Sequence, residues 1–435
     1  MKLREGLDRV IEEELVHFEM PGHKGRIEKQ IYQYDFTEIP GTDNLTNPQG
    51  IILQTIEEIS KAFGSKGSFI SVNGATGALL GAMSSAFSRG DEIIIMRNSH
   101  ICIYDGVYLL GLKAKYLFSD GDLLAQLKEL VSENTRGVIL TSPSFYGEII
   151  EDEVYEWLVS KDLIIIIDEA HGSHLKLIDD RLSGMRYGDM VVHSFHKTLP
   201  SMTQTAILHL CTDRFKKSYV QKNLKLFQST SPSYVLMRSL DIAIDIYIYQ
   251  GKELMQKLLL HCQDFKVQLE KTTDFRLIYK EGKHDKTRLL LRHKLPIDYS
   301  HMEKELRKRG LQIEFQSDQG LLLIPSIMST REDFSRLLTA LKQVQVRKKE
   351  KISYQVFRPK KAMEIREAFL KDSKVCSYQE ALGEVVSEYI IPYPPGSPIL
   401  VPGEIMNKEL VAYLESFKGN IVGLEKEGFV NILLD

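Results

Sequence analysis

The sequence predicts an α/β fold: a mostly parallel sheet sandwiched by helices in a large domain, then a smaller α/β domain and a C-terminal domain. Three observations carry this. Short apolar runs at residues 92–96, 114–118, 137–141, 163–168, 190–193 and 205–210 recur with amphipathic or charged stretches between most of them, as strands do when helices carry the chain back to one sheet edge. The run from Leu163 to Asp168 is aliphatic until it ends in a carboxylate, the pattern of a strand buried on both faces. Polar residues cluster just beyond the C-terminal ends of several runs, where open parallel sheets bind their ligands.

Composition narrows the class. A net charge of −3 over 435 residues leaves no basic excess for nucleic acid or an anionic membrane, so the expected partner is a small-molecule substrate. No stretch approaches the ~20 apolar residues of a membrane helix. Cys102, Cys211, Cys262 and Cys376 form no CxxC pair, so neither a metal site nor a disulfide framework is expected, and a reducing cytoplasm is the expected compartment. The expected divisions are an N-terminal arm over 1–50, the large domain over 51–270, the small α/β domain over 271–346 and the C-terminal domain over 347–435.

Taken in order, residues 1 to about 15 have helical spacing, and Pro21-Gly22-His23-Lys24-Gly25 is a punctuated loop. Residues 37–50 are irregular and polar, and 51–63 read as a helix. Ser71 to Ala78 is a turn that opens an apolar, small-residue helix. The unpaired N–H groups at such a start, with the Thr76 hydroxyl, suit a phosphate; a plain capped helix would explain the pattern as well. Ser229-Thr230-Ser231-Pro232 reads as a cap for the next helix, and residues 242–249 as helix despite their alternation. Strands with intervening helices follow at 275–279, 287–292 and 312–327, then a helix over 330–346 capped by Thr330. Prolines from Pro392 to Pro402 make a rigid loop that suits positioning Glu404 or capping a site.

The candidate chemistry lies after the strands. Asn98-Ser99-His100 follows the run at 92–96, Ser142 to Gly147 follows 137–141, Asp168-Glu169-Ala170-His171-Gly172 ends 163–168, and Ser194-Phe195-His196-Lys197-Thr198 follows 190–193. An acid and a lysine on neighbouring strand ends are what pyridoxal 5'-phosphate chemistry needs, one to hold the ring nitrogen protonated and one to form the Schiff base. His171 and His196 are candidate proton donors, phosphate contacts or satisfied loop histidines.

Together with Gly41-Thr42-Asp43-Asn44-Leu45, Pro48-Gln49-Gly50, Asn73-Gly74-Ala75-Thr76-Gly77 and Pro394-Pro395-Gly396 through Glu404, these motifs span nearly the whole chain in order. The ordered set resembles the Orn/Lys/Arg decarboxylase family, pyridoxal phosphate enzymes of the aspartate aminotransferase fold type, fold type I, and within it the short branch similar to biosynthetic arginine decarboxylase. The resemblance implies decarboxylation of a basic amino acid, arginine ahead of lysine and ornithine. It implies that Lys197 carries the cofactor, Asp168 pairs with the pyridine nitrogen and His100 stacks on the ring. Ala75, Thr76, Ser194 and His196 are the implied phosphate contacts, Gly77, Ala170 and His171 further cofactor-binding residues, and Ser229 or Thr230 reaches the phosphate from a partner subunit of a homodimer. His196 is the first choice of proton donor, and Glu148 and Glu404 are candidates to read the substrate's distal charge. The chain departs from the family pattern at Ile101-Cys102, where Lys-Ser is usual after the stacking histidine, and at Phe195, where Thr is commoner. Two alternatives stay open on sequence: another lyase or transaminase using the same cofactor, and a catalytically idle cofactor-binding paralogue, against which the intact Lys197, Asp168 and His100 argue.

Overall fold

A computed structural model describes residues 16–18, 43–279, 283–349, 357–393, 396–417, 420–424, 426 and 428–434. The helix expected over residues 1 to about 15 and the Pro21 to Gly25 loop lie outside the described residues. The chain builds α1 (Ile51–Phe63), β1 (Gly67–Ser71), α2 (Gly74–Ala86), β2 (Glu92–Met96), α3 (Ile101–Leu110), β3 (Lys113–Leu117), β4 (Thr135–Thr141), β5 (Ile164–Asp168), β6 (Met190–Ser194), α4 (Phe195–Thr198) and β7 (Ala206–Leu210). The seven strands form one sheet in the order β1-β7-β6-β5-β4-β2-β3. Strands β2 to β6 pair in parallel, and β7 runs antiparallel between β6 and β1.

Side-chain alternation explains why these strands read as unbroken apolar runs. Ile93, Ile95, Ile139, Ile166 and Val192 pack into the core on one face, while Ile94, Val138, Leu140, Ile165, Ile167 and Val191 pack into the core on the other. A strand covered on both faces has no solvent side on which a polar residue is favoured. On one face lies α2, apolar on all sides and buried from Gly77 to Met83, as a helix wedged between layers should be. On the other, α1 turns Ile52, Ile56, Ile59 and Phe63 inward at three- and four-residue spacing.

The topology also fixes where a ligand can sit. From β2 the chain steps to β3 in one direction, and from β4 through β5 to β6 in the other. The C-terminal ends of β2 and β4 therefore flank a switch point, where connections leave on opposite sides and open a crevice.

Two sequence expectations change. Strand β1 is absent from them, because Gly-Ser-Phe-Ile-Ser has no apolar run and becomes a strand through its pairing with β7. The cap of the helix Tyr234–Tyr249 is Ser233, whose side chain accepts from Leu236 N; Ser229 instead accepts from Ser231 N at 3.1 Å within its own loop. The helix reading of 242–249 holds, and Thr330 forms a capping box with Asp333 at the start of Arg331–Gln343.

Beyond the large sheet, β8 (Phe275–Ile278), β9 (Leu289–His293), β10 (Phe315–Ser317) and β11 (Gly320–Leu323) form a small antiparallel sheet ordered β10-β11-β9-β8. Val16–His17 pairs in parallel with Leu311–Gln312 beside it. The C-terminal residues have a core of their own around Val386, Ile390, Leu400, Leu410 and Ile432. No helix among the described residues is long and apolar enough to cross a membrane.

Candidate active site

Asp168 closes β5 with 4% of its surface exposed, and the backbone N–H of Ala170 donates to its Oδ1 at 3.1 Å. Its second oxygen has no hydrogen-bond partner among the described residues. Burial raises the Asp168 carboxyl above its usual range, opposed by Lys197 and by the Ala170 N–H. One strand over, β6 runs straight into the single turn of α4, which carries Lys197. Register sets the two side by side: Asp168 pairs with Val192 on β6. Burial lowers the Lys197 amine below its usual value, with Asp168 opposing and Arg288 adding to the shift.

The start of α2 lies beyond β1. Asn73 makes no side-chain cap, Gly74 N donates to Gln204 O at 2.8 Å, and Gly77 N donates to Asn73 O at 3.2 Å. The N–H groups of Ala75 and Thr76 between them find no acceptor among the described residues. This is an uncapped helix start, carrying the partial positive charge of the helix dipole. At Gly77 a Cβ would come within 3.0 Å of Phe227 O, so the close approach of the 227–230 loop requires glycine there.

His100 follows β2 at the crevice. Its Nδ1 accepts from Cys102 N at 3.3 Å, and its ring is lowered to about 4, first by shielding from solvent and then by Lys197. On α4, His196 Nδ1 lies 3.1 Å from Thr205 O. A carbonyl only accepts, so Nδ1 carries the proton. Ser194 ends β6 with its side chain buried.

His171 joins two elements that the sequence did not connect. Its Nε2 is 3.0 Å from Lys197 Nζ, and its Nδ1 is 2.8 Å from Arg288 Nη2, at the entry to β9 in the small sheet. Phe145 meets the His171 ring edge-on at 5.6 Å. Burial, Lys197 and Arg288 keep the imidazole well below its ordinary value, so it is neutral. Glu314 faces both Lys197 and Arg288 closely enough to favour their charged forms. Arg288 and Glu314 escaped the sequence reading. The one signal was a charge at position 288 heading an apolar strand three residues after Asp285, and a buried charge needs a partner.

The remaining candidates are placed as follows. Ser229 and Thr230 are exposed. Glu148 sits half-buried in the 144–148 loop, where Ser144 Oγ donates to its Oε2 at 3.2 Å and its backbone bridges to His284. Glu404 requires a correction. It is fully buried, and its Oε2 accepts from Arg97 Nη2 at 2.8 Å and from Val401 N at 2.9 Å. Its charge is matched within the chain, so the expectation that it reads a substrate's cation gives way to a structural pairing.

With this geometry in place, comparisons show what the chain is similar to. The family model of the Orn/Lys/Arg decarboxylase major domain matches residues 3–287, and that of the Orn/Lys/Arg decarboxylase C-terminal domain matches residues 342–426. The arginine decarboxylase of Bacillus subtilis (strain 168) is 29% identical over 463 residues, covering 97% of this chain and 94% of that protein. That of Bacillus anthracis is 26% identical over 456 residues, covering 95% and 92%. The crystal structure of the Francisella novicida lysine decarboxylase LdcF superimposes with a TM-score of 0.80 at 17% identity, covering 93% of this chain and 75% of that one, a likeness of fold.

Proposed function

Because this chain belongs to the Orn/Lys/Arg decarboxylase family, has the fold of type I pyridoxal phosphate enzymes and is a decarboxylase, we propose that it binds pyridoxal 5'-phosphate and decarboxylates arginine to agmatine, ahead of lysine and ornithine. The observation that carries the cofactor reading is the set of unfilled valences converging on one sheet edge. Asp168 has an oxygen without a partner, Ala75 and Thr76 have N–H groups without acceptors, and Lys197 stands between them on α4. These residues fit the group's protonated pyridine nitrogen, phosphate and aldehyde in turn. The preference for arginine rests on similarity along nearly the whole chain to proteins of that name.

When bound, the cofactor supplies an aldehyde and a protonated pyridine ring that accepts the electron pair left by departing carbon dioxide. Asp168 keeps the ring nitrogen protonated, and its burial makes that pairing stronger than it would be in water. The Ala75 and Thr76 N–H groups, with the Thr76 hydroxyl, Ser194 and His196, would hold the phosphate, and Gly77 would let the helix start approach. His100 would stack on the ring. Lys197 Nζ would hold the group through its aldehyde carbon and would be the amine that the substrate's own amine replaces. His196 keeps Nδ1–H on Thr205 O, so only as the imidazolium does it carry a second proton, on Nε2; in that form it would contact the phosphate and is our first choice to give the Nε2 proton to the substrate's Cα. Glu148 and Glu314, each on a loop beside Arg288, are the carboxylates we assign to the distal guanidinium.

We expect the working unit to be a homodimer in which the exposed Ser229 or Thr230 of one copy reaches the phosphate of the other. The test is to incubate the purified, cofactor-loaded protein with arginine, lysine and ornithine and identify the products. Agmatine with stoichiometric carbon dioxide is expected; a keto acid without carbon dioxide, or cadaverine in preference to agmatine, overturns the reading. Lys197→Ala should abolish the yellow, borohydride-sensitive colour, and light scattering of the same sample should give twice the chain mass.

A further inference from the structure

Arg288 is the largest fully buried side chain among the described residues, and nothing in the chemistry above uses its charge. A guanidinium in a protein stays protonated, so each of its nitrogens can donate and none can accept. Its Nη2 donates to His171 Nδ1 at 2.8 Å and to the His171 carbonyl at 3.1 Å. Nδ1 must therefore be the accepting nitrogen of that ring. A neutral imidazole that accepts at Nδ1 carries its one proton at Nε2, and Nε2 lies 3.0 Å from Lys197 Nζ. The ring can only donate along that contact. A nitrogen that accepts a hydrogen bond needs a lone pair, which an ammonium lacks.

We propose that Arg288, acting through the fixed tautomer of His171, is a positioning residue that holds Lys197 as a neutral amine, ready to attack the cofactor's aldehyde. This rests on the reading of Lys197 as the cofactor lysine.

The surroundings make the relay rigid. Arg288 Nε lies 3.7 Å and His174 Nε2 3.0 Å from Asp285 Oδ2, and Asp285 Oδ1 accepts from the Thr287 hydroxyl at 2.7 Å. Although burial works against its charge, His174, Arg288 and Thr287 hold Asp285 well below the usual carboxylate range. Gly147, at φ +97°, leaves no room for a Cβ, which would fall 2.6 Å from Arg288 Cβ and Cγ. The ionisable groups facing Lys197 are Asp168, Arg288, Cys102, Glu314, His100 and His171, and those facing His171 are Lys197, Arg288, His100 and His196. Asp168, Cys102 and Glu314 all pull Lys197 towards the ammonium form. Burial and the Arg288 charge oppose these three groups, and an imidazole that can only donate adds to them in favouring the neutral amine.

The test reads the lysine and the ring directly, without turnover. Cofactor-free protein is labelled with trace acetic anhydride across a pH series, and Lys197 acetylation is followed by mass spectrometry against the exposed Lys161. In Arg288→Met the direct repulsion of the Arg288 charge is lost and the ring is free to turn its proton to Nδ1 and accept from an ammonium, so the labelling midpoint should rise by a unit or more, about a tenfold loss of label at a fixed pH below it; ¹⁵N-histidine spectra of the variant separate the two causes, since only the relay moves the His171 proton to Nδ1. An unchanged midpoint in folded Arg288→Met overturns the proposal. Should that variant fail to fold, ¹⁵N-histidine spectra of the unmodified protein decide, with His171 assigned through His171→Gln. A proton on Nε2 and none on Nδ1 supports the relay; a proton on Nδ1 overturns it. If Lys197 of the unmodified protein forms no borohydride-reducible link with pyridoxal phosphate, the underlying reading of Lys197 falls, and the tautomer still decides the relay.

Discussion

Glu169, the residue after the candidate ring acid, faces away from the crevice into a buried chain of hydrogen bonds. Its Oε1 accepts from Ser183 Oγ at 2.7 Å and His193 Nε2 at 3.0 Å, and its Oε2 accepts from Gly184 N. On its other side His193 Nδ1 lies 3.2 Å from His209 Nε2, and His209 Nδ1 lies 3.0 Å from Ser68 Oγ. Burial, followed by His193 and Lys176, holds His209 well below its ordinary value of 6.5. Below that pH the unfolded chain takes up a proton that the folded ring refuses, so stability falls as pH drops, by up to about 1.4 kcal/mol per pH unit for one such group. His171 adds a second group of the same sign. His209→Gln keeps an acceptor and a donor but cannot titrate. Urea midpoints measured between pH 5 and 8 should fall less steeply with acid in the variant than in the parent. Equal slopes would mean that His209 is protonated in the fold or that the chain opens around it.

Among the elements, α1 shows how a motif shared with a family can be structural. Asp43, at φ 65°, brings its carboxylate to the helix start, where Oδ2 accepts from Gly50 N at 2.7 Å and Ile52 N at 3.0 Å while Oδ1 accepts from Gln49 N at 2.9 Å. Gly50, the residue at the cap position, has no side chain for this task. Asp43→Ala should cost about 2 kcal/mol, the range of a lost cap with charge-assisted bonds, and should speed amide exchange in the first turn of α1. Asp43→Asn, which keeps one acceptor oxygen, should recover part of this; a silent Asp43→Ala would remove the capping account. The same element scale shows what was legible in sequence. Strands β2, β4, β5 and β6 announced themselves because burial on both faces demands unbroken apolar runs, and Asp168, Lys197 and His171 stood out at their ends. Strand β1 did not, since its identity lies in its pairing with β7. Nor did Arg288, whose burial depends on residues 285, 171 and 147 arriving from three different segments. Local pattern reports what a residue needs, and only tertiary contact reports who supplies it.

At the scale of the whole molecule, the buried Arg97–Glu404 ion pair fastens the C-terminal segment beside the crevice. Arg97, directly after β2, sends Nη1 to Pro398 O and Nη2 to Ile399 O and Glu404 Oε2, while the Tyr104 hydroxyl donates to the Arg97 carbonyl at 2.6 Å. Ser397 Oγ donates to Asn98 O at 2.8 Å, and Ile101 N donates to Gly396 O at 3.3 Å. Residues 396–404 thus bracket the loop that carries His100, so the proline-rich segment acts on the site by holding this loop. Removing one member of such a pair leaves the other charge buried and uncompensated, whereas replacing both with apolar side chains removes the penalty along with the attraction. Glu404→Ala should therefore destabilise the protein by about 3–5 kcal/mol and raise amide exchange from Asn98 to Ile101, and adding Arg97→Met to it should restore much of the stability. The exchange need not recover with it, because the methionine cannot rebuild the bonds to Pro398 and Ile399. If Glu404→Ala leaves both stability and exchange unchanged, the Asn98 and Ile101 backbone contacts hold the loop unaided, and the charged pair has no part in shaping the site.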